Sequence, residues 1–229
     1  MLPRIQELRR VPAPAPEPQA LACDGKSVWL SSRVTKEIHV LDAAEWTVRR
    51  KYPAPGTTYG FTVAGAELRA VVGEEDDDRY LRRFLPEKGF VQGRARLPED
   101  TGSYLGYGRG QLYLTQWYKQ RLLFIDDAAR VSKVLDVPHQ ICGCTAIDGI
   151  VHLLTTDDEE RYDYFITRVD VDALPPSFVD IALVPFHARS LAWDGDRFWT
   201  NHREADEVVR FEIPGYSPSM VEREAAWKK

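Results

Sequence analysis

The sequence predicts an all-β protein, a five-bladed β-propeller of four-stranded antiparallel blades, on three observations. The first is a turn-and-strand unit repeated through the chain: LACDGKSVWLSS (21–32), FTVAGAELRAVV (61–72), LGYGRGQLYLTQ (105–116), TAIDGIVHLLTT (145–156) and SLAWDGDRFWTN (190–201). Each copy is an apolar run, a short turn ending in Gly, and a second β-rich run. The second observation is the interval. From Asp24 through Ala64, Arg109 and Asp148 to Asp194 the steps are 40, 45, 39 and 46 residues, the size of a propeller blade. The third is a pair of loose ends. The fifth copy supplies only three strands before Pro214-Gly215, while RIQELRRV (4–11) belongs to no complete blade. Pairing the two closes the ring and removes the open sheet edges that invite aggregation.

In chain order, blade one is expected near 18–52, with strands at 18–23, 26–31, 37–42 and 46–52 around an Asp24-Gly25 turn suited to a tight hairpin. Blade two runs about 58–97, with RYLRRFL third and GFVQGRARL fourth. Blade three spans 102–137, blade four 142–183, and blade five 187–212 plus the closing strand 4–11. APAPEP (13–18) reads as a stiff extended connector from rim to centre. Residues 1–215 are thus expected to form one domain, leaving 216–229 as a tail. In that tail Ser219 and Glu222 have capping-box spacing for a short helix carrying Trp227.

The composition, 44% apolar and 28% charged, is that of a globular domain with no apolar run of membrane-spanning length. No membrane partner is expected. Charge and proline interrupt the N-terminus too early for a secretory signal, and three cysteines are too few for a disulfide framework, so a cytoplasmic location is expected. A net charge of −5 with dispersed Arg and Lys gives no field for a phosphate backbone, which excludes nucleic acid as an expected partner.

Propeller sites lie at one mouth of the channel, on the starts of inner strands and on the loops after second strands. The first set offers Gln19, Tyr59, Tyr104, His187 and Arg189; the second offers Arg33, Trp117, Asn201, His202 and Arg203. The topology leads one to expect both sets at the same mouth. A catalytic reading makes His187 or His202 the general base and Arg189 the clamp for an oxyanion. Gln19, Tyr59, Tyr104, Trp117, Asn201 and Arg203 are the candidate ligand-binding residues. Cys142-Gly-Cys144, with His139 and Cys23, lacks the paired spacing of structural zinc, so the cysteines read as small buried residues and no metal or cofactor is expected. Two acidic runs, GEEDDDRYLRRF (73–84) and TDDEERYDYF (156–165), fall at equivalent places and read as solvated loops rather than calcium sites. Phosphate loops, nucleophile elbows and dinucleotide fingerprints are absent from the sequence.

QLYLTQWYKQRLLFID (111–126), GCTAIDG (143–149), WTNHREADEVVRFE (199–212) and PQALACDG (18–25) together resemble the five-bladed glutamine cyclotransferase family, and more loosely the YncE-like and SMP-30-like propellers. The resemblance implies the five-bladed fold. It does not extend to the family's catalytic carboxylates. Leu30 stands where the opening blade would carry Glu, Tyr104-Leu105-Gly106 replaces a G-E-G segment, and Arg189-Ser190-Leu191-Ala192 replaces N-E-L-E. Glutaminyl cyclase activity is therefore not expected. The leading expectation is a diverged propeller binding a small molecule or a protein segment at its channel mouth. The alternatives are an enzyme (a lyase, cyclase or hydrolase) using His187, His202 and Arg189 on a polar or anionic small substrate, or an interaction scaffold.

Overall fold

In the computed structural model, which describes residues 2–75 and 78–218, five antiparallel sheets stand around a central axis. Blade one is β2 (Pro18–Cys23), β3 (Ser27–Ser32), β4 (Glu37–Asp42) and β5 (Val48–Pro53). Blade two begins with β6 (Thr57–Ala64), β7 (Glu67–Gly73) and β8 (Arg79–Leu85). The fourth strand expected over GFVQGRARL is broken into two short pieces, β9 (Gly89–Phe90) and β10 (Ala95–Arg96), each pairing with β8. Gly89 and Gly93 both sit at positive φ, and the chain between the pieces leaves the ladder there.

Blade three is β11 (Leu105–Gly108), β12 (Gln111–Gln116), β13 (Arg121–Ile125) and β14 (Val131–Asp136). Blade four is β15 (Gln140–Ile147), β16 (Ile150–Thr156), β17 (Tyr164–Asp170) and β18 (Ser177–Val184). Blade five is β19 (Ala188–Trp193), β20 (Phe198–His202) and β21 (Glu207–Glu212), completed by the N-terminal β1 (Gln6–Pro12), which pairs antiparallel to β21. The ring closes as the loose ends of the sequence require. The expected tail helix, with Ser219, Glu222 and Trp227, lies outside the described residues.

The repeated turns work in two ways. Arg109-Gly110 and Asp148-Gly149 place both residues at positive φ, as a two-residue primed hairpin demands. Asp24 and Asp194 act through their side chains instead. Asp24 Oδ1 accepts from the amides of Lys26 (2.9 Å) and Ser27 (2.7 Å), and Asp194 Oδ1 from those of Asp196 (2.9 Å) and Arg197 (2.7 Å).

The core lies between blades rather than within them. Five apolar clusters each fill one seam, from Ala20, Trp29, Phe61 and Phe84 between blades one and two to Leu21, Leu30, Trp199 and Val208 between blades five and one. At that last seam Trp46 of blade one stacks on Trp199 of blade five, centroids 5.6 Å apart and planes 5° from parallel. The five inner strands contact one another in a closed cycle, β2, β6, β11, β15, β19 and back to β2. Such close approach needs residues without a side chain. A Cβ on Gly60 would fall 2.4 Å from the Ser103 carbonyl oxygen, and one on Gly143 would fall 2.6 Å from the Ser190 carbonyl carbon. The axis is therefore narrow where the inner strands meet.

Candidate functional site

Every inner strand carries a one-residue irregularity near its start. The register slips between Pro18 and Leu21, Thr58 and Gly60, Ile141 and Gly143, and Arg189 and Ala192. In blade three the Ser103 amide donates to the Thr115 carbonyl while the Thr115 amide donates to Tyr104, which produces the same two-against-one pairing. A bulge re-aims its side chains relative to the pleat. Second-strand hydroxyls take up the backbone groups so displaced. Ser31 Oγ accepts from the Ala20 amide at 2.9 Å, Thr115 Oγ1 from the Tyr104 amide at 3.0 Å, and Thr200 Oγ1 donates to the Ser190 carbonyl at 2.8 Å. Ser190, at φ 63, is the one non-glycine residue of an inner strand in the left-handed region among the described residues. Its Oγ accepts from the Leu21 amide at 3.1 Å, pinning blade five to blade one.

The bulges surround a cavity of about 470 Å³ at the end of the channel where the inner strands start. Blade one lines it with Gln19 and Arg33, blade two with Tyr59 and Arg79, and blade five with Arg189 and Arg203. The segment leading into blade three gives Thr101, Ser103 and Tyr104, the β12–β13 turn gives Trp117 and Tyr118, and the β16–β17 loop gives Glu159. Among the described residues, four guanidinium groups thus face one lining carboxylate. At the opposite end a dimple of about 90 Å³ lies around Cys23, Cys144 and Trp193.

Arg189 is buried, 7% exposed. Its Nη1 lies 2.7 Å from Glu159 Oε1 and donates to Cys142 Sγ at 2.9 Å, and its guanidinium sits 5.0 Å from the Trp117 ring centre. Burial alone would favour the neutral form of Arg189. Tyr104, Cys142 and Glu159 outweigh that effect, so its pKa is raised and it stays charged. Burial pushes the Cys142 thiol up to about 12. Arg79 sits over Tyr59, its Cζ 3.3 Å from the ring centre, and donates to the Gly102 carbonyl at 3.1 Å. Gln19 Nε2 donates to Tyr104 Oη at 3.2 Å.

Arg203 differs from these. Its nearest carboxylate oxygen, on Glu17, is 3.8 Å away, and its pKa is lowered by burial first and then by Arg33 and Arg189. The Arg33 side chain has no hydrogen-bond or ion-pair partner among the described residues. Arg33 and Arg203 are therefore two cations lining one cavity, close enough for Arg33 to lower the Arg203 pKa, with the Glu17 carboxylate 3.8 Å from Arg203.

Of the candidates named from the sequence, Gln19, Tyr59, Tyr104, Trp117, Arg189 and Arg203 share the lining of this cavity. Asn201, His187 and His202 do not. Asn201 is fully buried, and its Nδ2 donates to the Gln19 carbonyl at 3.1 Å, so it holds a lining strand in place. His202, the next residue of β20, points to the opposite face. It packs on Phe186 beside Arg10 and Glu207, and burial and Arg10 lower its pKa. His187 lies just before β19 and turns outward to the β20–β21 loop. There it donates from Nδ1 to Glu204 Oε1 at 2.6 Å and packs against Tyr162 and Tyr164.

Arg79, Tyr118 and Glu159 line the cavity without having been expected there. Two of these lie in or beside the acidic runs, which are not simply solvated. Glu74, its side chain 8% exposed, pairs with Arg82 and Arg94, and Glu159 turns inward to Arg189. The signal was the matching Arg-Tyr that follows both runs, since Arg79 is one of that pair. Among the described residues no three His, Cys, Asp or Glu side chains are grouped to hold a metal ion. None of the helices there is long and apolar enough to cross a membrane.

No protein family matches the sequence, and no curated protein does. The fold, however, is shared with many solved propellers. A calcium-binding protein, regucalcin, from Agrobacterium tumefaciens superposes with a TM-score of 0.59 at 10% identity, over 93% of this chain and 96% of that one. Catalytically inactive virginiamycin B lyase from Staphylococcus aureus, with quinupristin, gives 0.53 at 13% identity, over 89% and 83%. Glutaminyl cyclase from Myxococcus xanthus gives 0.49 at 12%, over 92% and 97%. Of Chaetomium thermophilum Raptor, a far longer chain, this protein spans 19%. The likeness is one of fold, a five-bladed propeller with enzymes among its structural neighbours.

Proposed function

We propose that this protein is a small-molecule-binding propeller whose channel mouth takes an anion, a carboxylate or a phosphate. One observation carries the reading: the cavity sets Arg33, Arg79, Arg189 and Arg203 against Glu159, the one lining carboxylate among the described residues. Holding like charges in a concave, partly desolvated space is unfavourable, and the pKa of Arg203 is lowered by burial first and then by Arg33 and Arg189. An anion between Arg33 and Arg203 removes that repulsion and gains charge-assisted hydrogen bonds from planar donors. The volume of about 470 Å³ suits a small molecule. A catalytic reading built on His187 and His202 finds no support in the placement of either ring.

Titration calorimetry of the full chain with inorganic phosphate and with succinate, at low salt, tests the proposal. Binding of one or both at about 1 mM or tighter is expected, weakened about tenfold by Arg203→Gln and progressively by added chloride. Absence of heat with both anions at millimolar concentration would sink it.

A further inference from the structure

We infer that the ligand of this mouth carries a flat unsaturated ring beside its anionic group, and that Tyr118 is the platform on which the ring lies. The inference rests on the anion reading above and adds the second half of the ligand. Tyr118 is 84% exposed, against 48% for Tyr162, the other exposed aromatic residue among those described. It is held by stacking rather than by burial, its ring centre 4.6 Å from that of Trp117 and their planes 23° apart. Trp117 is fixed in turn, because its Nε1 donates to Gln140 Oε1 at 3.1 Å and Arg189 sits 5.0 Å from its ring. An aromatic ring presented to water on a rigid support, at the lip of a cationic cavity, is a surface built for stacking.

The other aromatic groups of the mouth are already engaged. Arg79 covers Tyr59 at 3.3 Å, and Tyr104 is buried with its hydroxyl bonded to Gln19. Tyr118 comes from blade three, whereas the poorly neutralised pair Arg33 and Arg203 comes from blades one and five, across the ring. A bare phosphate or carboxylate cannot reach both sides. A ligand with its anion at Arg33 and Arg203 and a planar ring directed toward blade three does, and it fills a cavity of about 470 Å³ much better.

Calorimetry with phenyl phosphate, cyclohexyl phosphate and inorganic phosphate on the full chain tests this, since the first two share a charge and differ in the planarity of the ring. Phenyl phosphate is expected to bind about fivefold or more tightly than cyclohexyl phosphate. Tyr118→Ala should abolish that preference, and Tyr118→Phe should keep it. Equal affinity for the two rings in the unaltered protein, or a preference that survives Tyr118→Ala, overturns the ring while the anion stands. If none of the three phosphates binds, the anion reading falls and this one with it.

Discussion

Glu159 of blade four and Arg189 of blade five form an ion pair at the floor of the mouth, Oε1 to Nη1 2.7 Å, and that pair sets how much positive charge the cavity offers a ligand. The Glu159 side chain is 26% exposed and that of Arg189 is 9%. Glu159→Gln keeps the shape and removes the charge. Arg189 is then left without its carboxylate, which should cost about 1–2 kcal/mol, less than a fully buried pair because Glu159 is partly solvated. A fall in Tm of about 3–6 °C is expected by calorimetry. Phosphate should bind the same variant about threefold to tenfold more tightly, because a competing internal anion has gone. Weaker binding would mean that Glu159 matters chiefly by positioning Arg189.

His152 makes the fold sensitive to acid. It is fully buried, and burial holds its pKa down at about 3, with Nε2 bonded to Tyr216 Oη at 2.6 Å. The folded pKa lies below the unfolded value near 6.5, so the unfolded chain takes up the proton first. Stability from keeping this ring neutral is complete above pH 6.5 and is lost as pH falls toward 3. Between pH 6.5 and 5 the loss is about 2 kcal/mol. His39, also lowered by burial, adds in the same direction. His152→Leu should be about 1 kcal/mol less stable at pH 7, for want of the Tyr216 bond, yet show a flatter urea midpoint between pH 7 and 5. An unchanged slope would acquit His152.

The ring was legible in the sequence because its punctuation is local. Asp24, Asp148 and Asp194, each followed by Gly, mark hairpins by side-chain bonds or positive φ, and those devices act within four residues. The closing strand was legible by subtraction. The mouth was only half so. Gln19, Tyr104 and Trp117 follow from strand order, but the bulges depend on pairing across a ladder, which a one-dimensional pattern does not record. Because a bulge shifts the alternation of faces, place along the strand does not tell that Arg189 lines the cavity while His187, two residues earlier, turns away. Glu159 was hidden for another reason. In a run of four acidic residues, Asp157 to Glu160, nothing in composition says which carboxylate turns inward.

Gly143 is a packing requirement of the axis. A Cβ there would meet the backbone of Ser190 and Leu191 at 2.6 and 2.8 Å, and backbone in the neighbouring inner strand cannot swing aside as a side chain would. Gly143→Ala should therefore destabilise by about 2–3 kcal/mol or more. Gly65→Ala serves as a contrast. Its Cβ meets nothing within 4 Å, and the cost is confined to the strain of φ 69. Denaturant midpoints of the two variants decide the matter, and a Gly143→Ala protein no less stable than Gly65→Ala would contradict so tight an axis.

Closure by β1 explains why a strand with little buried surface is needed at all. Most residues of β1 are exposed, so it contributes through its ladder with β21 and through Arg10, which binds Glu7 and Glu207 (Nη1 to Oε2 2.5 Å). Arg9 adds a bond across the seam, donating to the Ala43 carbonyl of blade one at 2.8 Å. Deleting residues 1–12 leaves β21 as an open edge next to the Trp46 and Trp199 seam. Such a protein is expected to melt about 10 °C lower and to elute from a sizing column as associated species. Adding a synthetic peptide of residues 2–13 should restore both, since the vacated edge is a template for the same antiparallel pairing. A truncated chain that stays monomeric with an unchanged Tm would show that the inner-strand contacts alone hold the ring.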